Sequence, residues 1–175
     1  MTRRLLLLRH AEAVRPPGDD FSEQADLARA LTTEGHLAAS RCGAWLREHA
    51  LSPDFILCSP ARRTRETLAA LGPFQSPPAL PTQFCPDIYE APPAALLERI
   101  RQAPAEARTV LLVGHNPGIS ALARYLDDQA VVLDPGFAPA SLALFHMWGS
   151  ENTDDAPGWA ECDEKSLTLD TFARP

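Results

Sequence analysis

The sequence predicts an α/β protein, a three-layer α/β/α sandwich on a mostly parallel, mixed sheet of about six strands. Short continuous apolar runs, at residues 5–8 and 109–113, are typical of strands buried on both faces of a parallel sheet. Segments with apolar residues at helical spacing alternate with these runs, as in α/β folds. The chain has 175 residues, so we expect residues 1–175 to form a single domain.

Composition and charge exclude several classes of protein. The hydrophobic fraction is 45% and the charged fraction 22%, which are values of globular domains and not of disordered, collagen-like or coiled-coil chains. The net charge of −7 argues against a nucleic-acid partner, because such domains carry a basic face. Of the 16 basic residues only Lys165 is a lysine. Arginine binds planar anions bidentately, so local arginine clusters are the ones to examine.

The cysteines and the N-terminus predict a cytoplasmic protein with no membrane partner. The four cysteines have no C-x-x-C spacing and are interpreted as free thiols in a reducing compartment; they are Cys42, Cys58, Cys85 and Cys162. The leucine run at residues 5–8 is shorter than the roughly 7–15 apolar residues of a signal peptide or the roughly 20 of a membrane span.

The first half of the chain alternates strand and helix. Its predicted elements are a strand at 5–8, a long loop through Asp26, a helix from Thr32 or Thr33 to Ser52-Pro53, a strand at 55–58, and a helix from Ser59-Pro60 to about Leu71. A threonine hydroxyl caps the first helix. Its predicted apolar stripe comprises Ala38, Cys42, Trp45 and Leu46.

The second half continues the alternation. Its predicted elements are a Pro-rich connection at 72–81, a weak strand at 84–89, a helix from Pro92-Pro93 through Ile100, a strand at 109–113, a helix through Leu126, a strand at 142–147, a loop at 149–158, and a final strand or hairpin within 159–170. Proline suits the first turn of a helix, because the N–H it lacks has no partner there.

Two histidines follow buried strands in the same way. His10 comes after the strand at 5–8, and His115 after the strand at 109–113. Ligands of open α/β sheets bind at the carboxyl ends of the strands. If these two strands are parallel neighbours, both imidazoles face one cleft, with Arg9 beside them.

A third strand end adds arginine. Arg62, Arg63 and Arg65 open the helix that follows the strand at 55–58. A helix N-terminus favours anions through its free N–H groups and its dipole. Arginine and histidine at such a place predict a phosphate pocket, although we expect at least one of Arg62 and Arg65 to lie on a solvated surface.

Four motifs in order resemble those of one family. Residues 7–12, Leu-Leu-Arg-His-Ala-Glu, resemble the Arg-His-Gly signature of the histidine phosphatase superfamily, in its short phosphohistidine phosphatase branch. Residues 26–35 resemble Asp-x-x-Arg-Pro-Leu-Thr-x-x-Gly, residues 59–67 resemble Ser-Pro-x-x-Arg-Ala-x-Gln-Thr, and residues 113–117 resemble the second-histidine motif. The match runs from residue 3 to about 126 and implies a phosphoglycerate mutase-like fold.

The sequence departs from these motifs at four positions, and some of these residues fit the family fold only if the local structure meets a stated requirement. Ala11 replaces glycine, which requires a negative φ at that position. Ala30 replaces proline and Thr64 replaces alanine. Glu66 replaces glutamine, and we expect its added charge to point away from the pocket or to pair with Arg62.

The resemblance implies a phosphatase that works through a phosphohistidine, with no metal and no other cofactor. A neutral His10 would attack phosphorus, with its other ring nitrogen held by a carbonyl or a carboxylate. Arg9, Arg63 and a protonated His115 would neutralise the phosphoryl oxygens. The same resemblance adds Asn116 and Ser59 to the predicted substrate-binding residues.

Two carboxylates are candidates for the proton donor to an alkoxide leaving group, and the sequence does not decide between them. Glu90 is the first candidate, and Glu12 is the rival that lies closer to His10 in sequence. A phosphohistidine substrate departs as imidazole and needs less acid help than an alkoxide. The identity of the donor therefore matters less for that substrate.

The short segment between Ser59 and His115 bears on the substrate. It is predicted to hold only about one helix and one strand, which leaves little material for a lid and favours a phosphorylated protein. The partner is thus a phosphorylated protein or a small phosphate ester, and the oligomeric state is left open. The alternatives are a small-molecule phosphatase or mutase-like phosphotransferase and, from another class, a non-catalytic phosphoprotein-binding module.

Other phosphate and metal chemistries do not fit. A cysteine phosphatase needs Cys-x₅-Arg, and Arg63 falls one residue too early after Cys58. No Gly-x-x-x-x-Gly-Lys sequence is present. His36 and His49 lie on one predicted helix, but not at the i, i+4 spacing of a zinc pair.

Overall fold

The computed structural model describes residues 2–16, 18, 20–74, 81–147 and 158–175. Its strands are β1 (Arg3–Arg9), β2 (Phe55–Cys58), β3 (Thr82–Phe84), β4 (Thr109–Gly114), β5 (Leu142–Met147) and β6 (Thr168–Ala173). Its α-helices are α1 (Glu23–Leu27), α2 (Thr33–Glu48), α3 (Arg62–Ala70), α4 (Pro93–Arg101) and α5 (Gly118–Leu126). Short 3₁₀ turns occur at Pro86–Ile88, Val131–Leu133 and Trp159–Glu161.

The strands form one mixed sheet in the order β3-β2-β4-β1-β5-β6. The first four strands of that order are mutually parallel, whereas β5 runs antiparallel to β1 and β6 antiparallel to β5. The predicted mixed, mostly parallel sheet is therefore confirmed. Parallel β1 and β4 are direct neighbours, as the prediction about the two histidines requires.

Helices cover both faces of the sheet. The side chains of Leu6 and Leu8 pack into a core with residues of α2. Those of Leu5 and Leu7 pack into a second core with residues of α4 and α5. The continuous leucine run of β1 is explained by this arrangement, because successive side chains of a strand point to opposite faces and both faces are buried.

Two close backbone approaches hold the loops around the strand ends. A Cβ on Gly35 would lie 2.1 Å from the carbonyl oxygen of Glu12, so α2 packs directly against the segment after His10. A Cβ on Gly118 would lie 2.0 Å from the carbonyl oxygen of Ala91. Glycine is required at both positions because any side chain would displace these loops.

Some predicted elements differ from the observed ones. The weak strand predicted at 84–89 is wrong: β3 ends at Phe84, and a 3₁₀ turn begins at Pro86, which lacks the N–H needed to continue the ladder. The loop predicted through Asp26 contains α1, capped by Ser22, whose Oγ accepts a hydrogen bond from the Ala25 amide at 3.2 Å.

The end of the chain also differs in detail. The final strand predicted within 159–170 is β6, and it extends to Ala173 after a 3₁₀ turn at Trp159–Glu161. The predicted loop at 149–158 lies outside the described residues except for Gly158, as does most of the predicted connection at 72–81.

The segment between Ser59 and His115 holds two helices and two strands. It contains α3, β3, α4 and β4, as many helices and strands as the element-by-element prediction has there. The estimate of about one helix and one strand, from which a missing lid was argued, is therefore wrong. Both helices are only nine residues long, which is why they fit into so short a segment. Among the described residues, no helix is both long and apolar enough to cross a membrane.

Candidate active site

The carboxyl ends of β1, β4 and β2 bring the predicted site residues together. In the sheet register Arg9 is opposite Gly114, and Cys58 is opposite Val113. The residues that follow these strands therefore share one edge of the sheet. The rings of His10 and His115 lie 5.2 Å apart, centroid to centroid, so both imidazoles occupy one cleft.

The hydrogen bonds of His10 fix its tautomer. Its Nδ1 lies 2.7 Å from the carbonyl oxygen of Ala11, and since a carbonyl only accepts, Nδ1 carries the proton. The lone pair is then on Nε2. The backbone of His10 is held from both sides: its amide donates to Gly114 at 3.1 Å, and its carbonyl accepts from Ala140 at 3.2 Å.

Burial keeps His10 neutral. Desolvation lowers its pKa to about 4, and the positive charges of Arg63 and Arg9 act in the same direction. The hydrogen bond to Ala11 opposes this shift without cancelling it. The imidazole therefore has a free lone pair across the whole physiological pH range.

His115 is held by Ser59 and is also neutral. Its Nε2 lies 2.7 Å from the Ser59 hydroxyl oxygen, and its Nδ1 is buried without a hydrogen-bond partner. Desolvation lowers the pKa of this imidazole to about 3, assisted by the charge of Arg63. Burial beside an arginine therefore favours the neutral form of His115 in the protein by itself, and its protonation next to a phosphoryl group stays a prediction.

Of the three arginines near the start of α3, only Arg63 is buried, with 2% of its surface exposed. It donates from Nη1 to the Asp26 carbonyl at 2.7 Å and from Nη2 to the Asp26 carboxylate at 2.9 Å. Arg62 pairs with Glu66 at 2.7 Å on the surface. The guanidinium of Arg65 lies over the Phe84 ring, 5.0 Å from its centroid.

Arg9 approaches the cleft from β1. Its Nη1 donates to the Phe137 carbonyl at 2.7 Å, and its backbone amide donates to Ser141 at 3.1 Å. Desolvation and the charge of Arg63 lower the pKa of its guanidinium. Two guanidinium groups that repel each other in a buried cleft favour an anion between them.

In the part of the chain that the structure describes, buried side-chain polar atoms lack a hydrogen-bond partner at three places, and all three belong to this cleft. They are Arg9 Nε, Arg63 Nε and His115 Nδ1. Unpartnered buried polar atoms are costly and rare in native proteins. Arginine and imidazole groups with unused N–H capacity, gathered at the strand ends with His10, form a site suited to an oxyanion.

Asp26 and Tyr89 belong to the site, but sequence reasoning did not single them out. The Asp26 carboxylate accepts hydrogen bonds from Arg63, from Arg29 at 2.8 Å and from the Tyr89 hydroxyl at 2.6 Å. Desolvation acts to raise the pKa of Asp26, but these three partners outweigh it and lower the pKa below its usual range. Asp26 begins the quoted 26–35 motif, and that was the available signal.

Tyr89 closes one side of the cleft. Its ring meets the His115 ring edge-on, with centroids 5.4 Å apart, and the Arg63 guanidinium lies 5.8 Å from the Tyr89 ring centroid. Desolvation and the hydrogen bond to Asp26 raise the pKa of the hydroxyl to about 12, so it remains protonated. The signal in the sequence was its place directly before Glu90.

The two candidate proton donors occupy different surroundings. Glu90 is exposed, has a φ of +46°, and lines an open cleft of about 350 Å³ together with Tyr89 and Asp26. Glu12 is also exposed, but its Oε1 accepts a hydrogen bond from Thr32 Oγ1 at 2.9 Å, at the N-terminus of α2. A role for either carboxyl as the acid stays a prediction.

Two further predicted substrate-binding residues are engaged with protein groups. Asn116 donates from Nδ2 to the Phe137 carbonyl at 2.7 Å and accepts at Oδ1 from Ser120 Oγ at 2.7 Å. Ser59 is fully buried behind His115. Their direct contact with substrate stays a prediction, whereas a role in holding other site residues is visible in these contacts.

The departures from the family motifs are accommodated. Ala11 has no positive φ and is fully buried, so its methyl group is tolerated where the motif has glycine. Its amide donates to Thr67 Oγ1 at 3.0 Å, which ties the segment to α3. Glu66 pairs with Arg62 as predicted, and it also accepts a hydrogen bond from the Leu31 amide at 2.7 Å.

Other chemistries find little support at this edge of the sheet. Cys58 is buried, and desolvation raises the pKa of its thiol to about 12, which leaves no thiolate nucleophile at neutral pH. Within the described residues, no group of three or more His, Cys, Asp or Glu side chains could hold a metal ion.

Comparison with known proteins agrees with this site. The sequence profile of the histidine phosphatase superfamily (branch 1) matches residues 5–91. An uncharacterized protein of Mycobacterium tuberculosis (strain H37Rv) is 36% identical over 175 residues, a match that covers 96% of this chain and 99% of that protein.

Solved structures give the same result. A candidate phosphohistidine phosphatase SixA from Nakamurella multipartitia superposes with a TM-score of 0.81 and 30% identity, covering 100% of this chain and 97% of that chain. A candidate SixA from Agrobacterium tumefaciens superposes with a TM-score of 0.75 and 26% identity, covering 99% of each chain.

The fold and the site together define a phosphatase. The chain belongs to the histidine phosphatase superfamily, whose members are metal-independent enzymes with a phosphoglycerate mutase-like fold. The resemblance drawn from the four sequence motifs is confirmed.

Proposed function

We propose that this protein is a protein phosphohistidine phosphatase that works through a phosphohistidine on its own His10. The observation that carries the proposal is the neutral His10 ring, 5.2 Å from the His115 ring, in a cleft where Arg9, Arg63 and His115 each have one buried nitrogen without a partner. A phosphoryl group has three equatorial oxygens, and electrostatic groups placed in advance around them are often the largest catalytic contribution.

The first step forms a bond from His10 Nε2 to phosphorus. The bond between phosphorus and the substrate's imidazole nitrogen breaks, and the bonding electrons stay on that nitrogen. A substrate ring that carries a proton on its other nitrogen departs as neutral imidazole, so the step needs no proton from the enzyme. Nδ1 of His10 keeps its proton and its hydrogen bond to the Ala11 carbonyl at 2.7 Å. That contact stabilises the positive charge that the ring gains on phosphorylation.

The second step is hydrolysis. Water attacks phosphorus, the bond to His10 Nε2 breaks, and inorganic phosphate and a neutral imidazole result. Splitting one difficult displacement into two easier ones is the usual advantage of a covalent intermediate. The guanidinium groups of Arg9 and Arg63 neutralise the oxygens in both steps.

His115 is neutral before the substrate binds, and a bound phosphate favours its protonation. When the Ser59 hydroxyl donates to Nε2, the ring proton of His115 is on the buried Nδ1. A neutral imidazole then offers one hydrogen bond to a phosphoryl oxygen. An adjacent phosphate dianion also raises the pKa of this ring, so substrate binding and protonation support each other.

The carboxylates around the cleft favour a substrate that needs little acid help. Asp26 contacts Arg63 directly, but its lowered pKa keeps it ionised and unable to donate a proton. The Glu12 carboxylate accepts a hydrogen bond from the Thr32 hydroxyl. An imidazole leaves with far less protonation than an alkoxide, so phosphohistidine suits this cleft better than an alkyl phosphate.

One observation favours a second function. Glu90 lines an open cleft of about 350 Å³ together with Tyr89 and Asp26, which adjoin Arg63 and His115, so there is room for a small ester next to the phosphoryl site. Hydrolysis of a small phosphate ester is therefore the alternative that the experiment has to separate.

A substrate panel tests the proposal. We would measure kcat/KM on a phosphohistidine-bearing protein, on p-nitrophenyl phosphate and on phosphosugars, with His10→Ala as the control on each. The proposal predicts the highest kcat/KM on the phosphohistidine protein and loss of all activities in the control. Faster turnover of a phosphosugar would assign a small-molecule phosphatase, and tight binding without turnover would indicate a non-catalytic module.

A further inference from the structure

Asn116 is one corner of a closed ring of hydrogen bonds. Its Nδ2 donates to the Phe137 carbonyl at 2.7 Å, the Phe137 amide donates to Ser120 Oγ at 2.9 Å, and Ser120 Oγ donates to Asn116 Oδ1 at 2.7 Å. The ring joins the start of α5 to the loop before β5. Each of its three residues both donates and accepts, so the three fix one another.

The Phe137 carbonyl, which belongs to this ring of hydrogen bonds, also orients Arg9. Arg9 Nη1 donates to the Phe137 carbonyl oxygen at 2.7 Å, and the same oxygen accepts from Asn116. A carbonyl has two lone pairs, so both are used. This contact fixes one end of the guanidinium of Arg9, whose Nε is buried without a partner.

The surrounding packing holds the Phe137 carbonyl in place. The Phe137 side chain is 2% exposed and packs against Phe172, with ring centroids 4.9 Å apart. Gly136 has a φ of +74°, and a Cβ there would lie 3.2 Å from Ser120 Oγ. The loop therefore approaches Ser120 closely, in a conformation that disfavours other residues at position 136.

We propose that Asn116 is a positioning residue, which acts on the phosphoryl group through the Phe137 carbonyl and Arg9 and does not bind the substrate itself. This inference rests on the proposed role of Arg9 in binding the phosphoryl group. Its basis is that the amide of Asn116 is engaged at both ends within the ring. Without the ring, the Phe137 carbonyl loses the Asn116 hydrogen bond that adds to the packing around it, and the orientation of Arg9 becomes less defined.

A double-mutant cycle separates this indirect role from direct contact. Asn116→Ala, Arg9→Ala and the double variant are compared by kcat/KM on p-nitrophenyl phosphate and by the Kd of orthovanadate. In the wild-type background we expect Asn116→Ala to lower kcat/KM roughly 10- to 100-fold, since small misplacements have effects of that size. In the Arg9→Ala background the same change should cost less than about twofold, because coupled residues are not additive.

Two more variants guard against a purely structural effect. Ser120→Ala removes the hydroxyl corner of the ring and leaves Asn116 in place, so it should weaken orthovanadate binding in the same direction even if Asn116→Ala folds poorly. Ala121→Ser, at the exposed neighbouring position of α5, should change neither Kd nor kcat/KM. Thermal unfolding of each variant shows whether losses of activity follow losses of stability.

The outcomes distinguish this inference from the proposed function. An equal factor for Asn116→Ala in both backgrounds would mean direct contact with the substrate and would overturn the inference alone. An Arg9→Ala variant with unchanged kcat/KM and unchanged orthovanadate affinity would overturn the role of Arg9, and with it the proposed function.

Discussion

Asp26 accepts two hydrogen bonds from Arg63: its carbonyl oxygen from Nη1 at 2.7 Å and its carboxylate from Nη2 at 2.9 Å. Each terminal nitrogen of the guanidinium therefore donates one hydrogen bond to Asp26. The second N–H of each terminal nitrogen is not used by Asp26, and Nε is buried without a partner. A residue of α1 thus determines the orientation of an arginine of α3 in the cleft.

Asp26→Asn should lower kcat/KM by about 10²-fold, because the guanidinium loses its counter-charge and its fixed orientation. The substitution keeps the carbonyl contact and the volume of the side chain. The measurement is kcat/KM together with the Kd of orthovanadate. Tyr89→Phe is the matched control: it removes only the hydroxyl that donates to Asp26 at 2.6 Å, and a smaller loss is expected.

An Asp26→Asn variant with wild-type kcat/KM would show that the clamp on Arg63 is dispensable. A loss for Tyr89→Phe larger than that for Asp26→Asn would instead assign the main effect to Tyr89, through its edge contact with His115.

Because of the two buried histidines, the free energy of unfolding should decrease as the pH is lowered through a defined window. Their pKa values in the folded protein, about 4 for His10 and about 3 for His115, lie below the ordinary value of 6.5. Well above pH 6.5 both imidazoles are neutral in the folded and in the unfolded protein, and the free energy of unfolding has its full value. Between pH 6.5 and about 4 the unfolded chain binds protons that the folded protein excludes, so the free energy of unfolding decreases.

Urea unfolding of the wild type and of His10→Gln/His115→Gln at pH 7.5 and pH 5 measures this window. The double variant should lose less stability on acidification than the wild type. His49→Gln, at an exposed position after α2, is the control for removing a histidine elsewhere. Equal losses in the wild type and the double variant would contradict neutral, buried imidazoles in the cleft.

The strands and the pairing of the two histidines were predictable from sequence. Strands buried on both faces need continuous apolar runs, and the residue after a parallel strand falls at the ligand-binding edge. His10 and His115 satisfy both conditions. The prediction failed at residues 84–89, where Pro86 interrupts the ladder.

The contacts that tune the site were not predictable. Asp26 reaches Arg63 across 37 positions of sequence, and Asn116 reaches Phe137 across 21. Such pairs depend on how α1 and the loop before β5 pack, which local patterns do not encode. The protonation of His115 depends in the same way on burial and on the charge of Arg63, both of which lower its pKa.

The two candidate acids should respond differently to the leaving group. If Glu90 donates the proton, Glu90→Gln should slow hydrolysis of an alkyl phosphate by about 10²–10⁴ and hardly affect phosphohistidine, whose leaving imidazole needs little help. Glu12→Gln should show no such difference between the two substrates, since the Glu12 carboxylate accepts a hydrogen bond from Thr32 Oγ1 at 2.9 Å. The measurement is kcat/KM on both substrates for both variants.

Equal losses on the two substrates for Glu90→Gln would remove it from the acid role. A split seen with Glu12→Gln alone would move the assignment to Glu12 and leave the histidine mechanism unchanged.

Removal of divalent metals should leave turnover unchanged. The superfamily is metal-independent, and the groups placed to neutralise the phosphoryl oxygens here are Arg9 and Arg63. Activity on p-nitrophenyl phosphate is measured before and after dialysis against EDTA. A loss that zinc or magnesium restores would contradict this account of charge neutralisation.

The central claim is that His10 carries the phosphoryl group, and trapping tests it most directly. The enzyme is mixed with a ³²P-labelled phosphohistidine protein, quenched in alkaline denaturant within milliseconds, and digested for peptide mapping. The account predicts an acid-labile, alkali-stable label on His10 that is absent from the His10→Ala variant. Label on Ser59 or Cys58, or full turnover by His10→Ala, would contradict it.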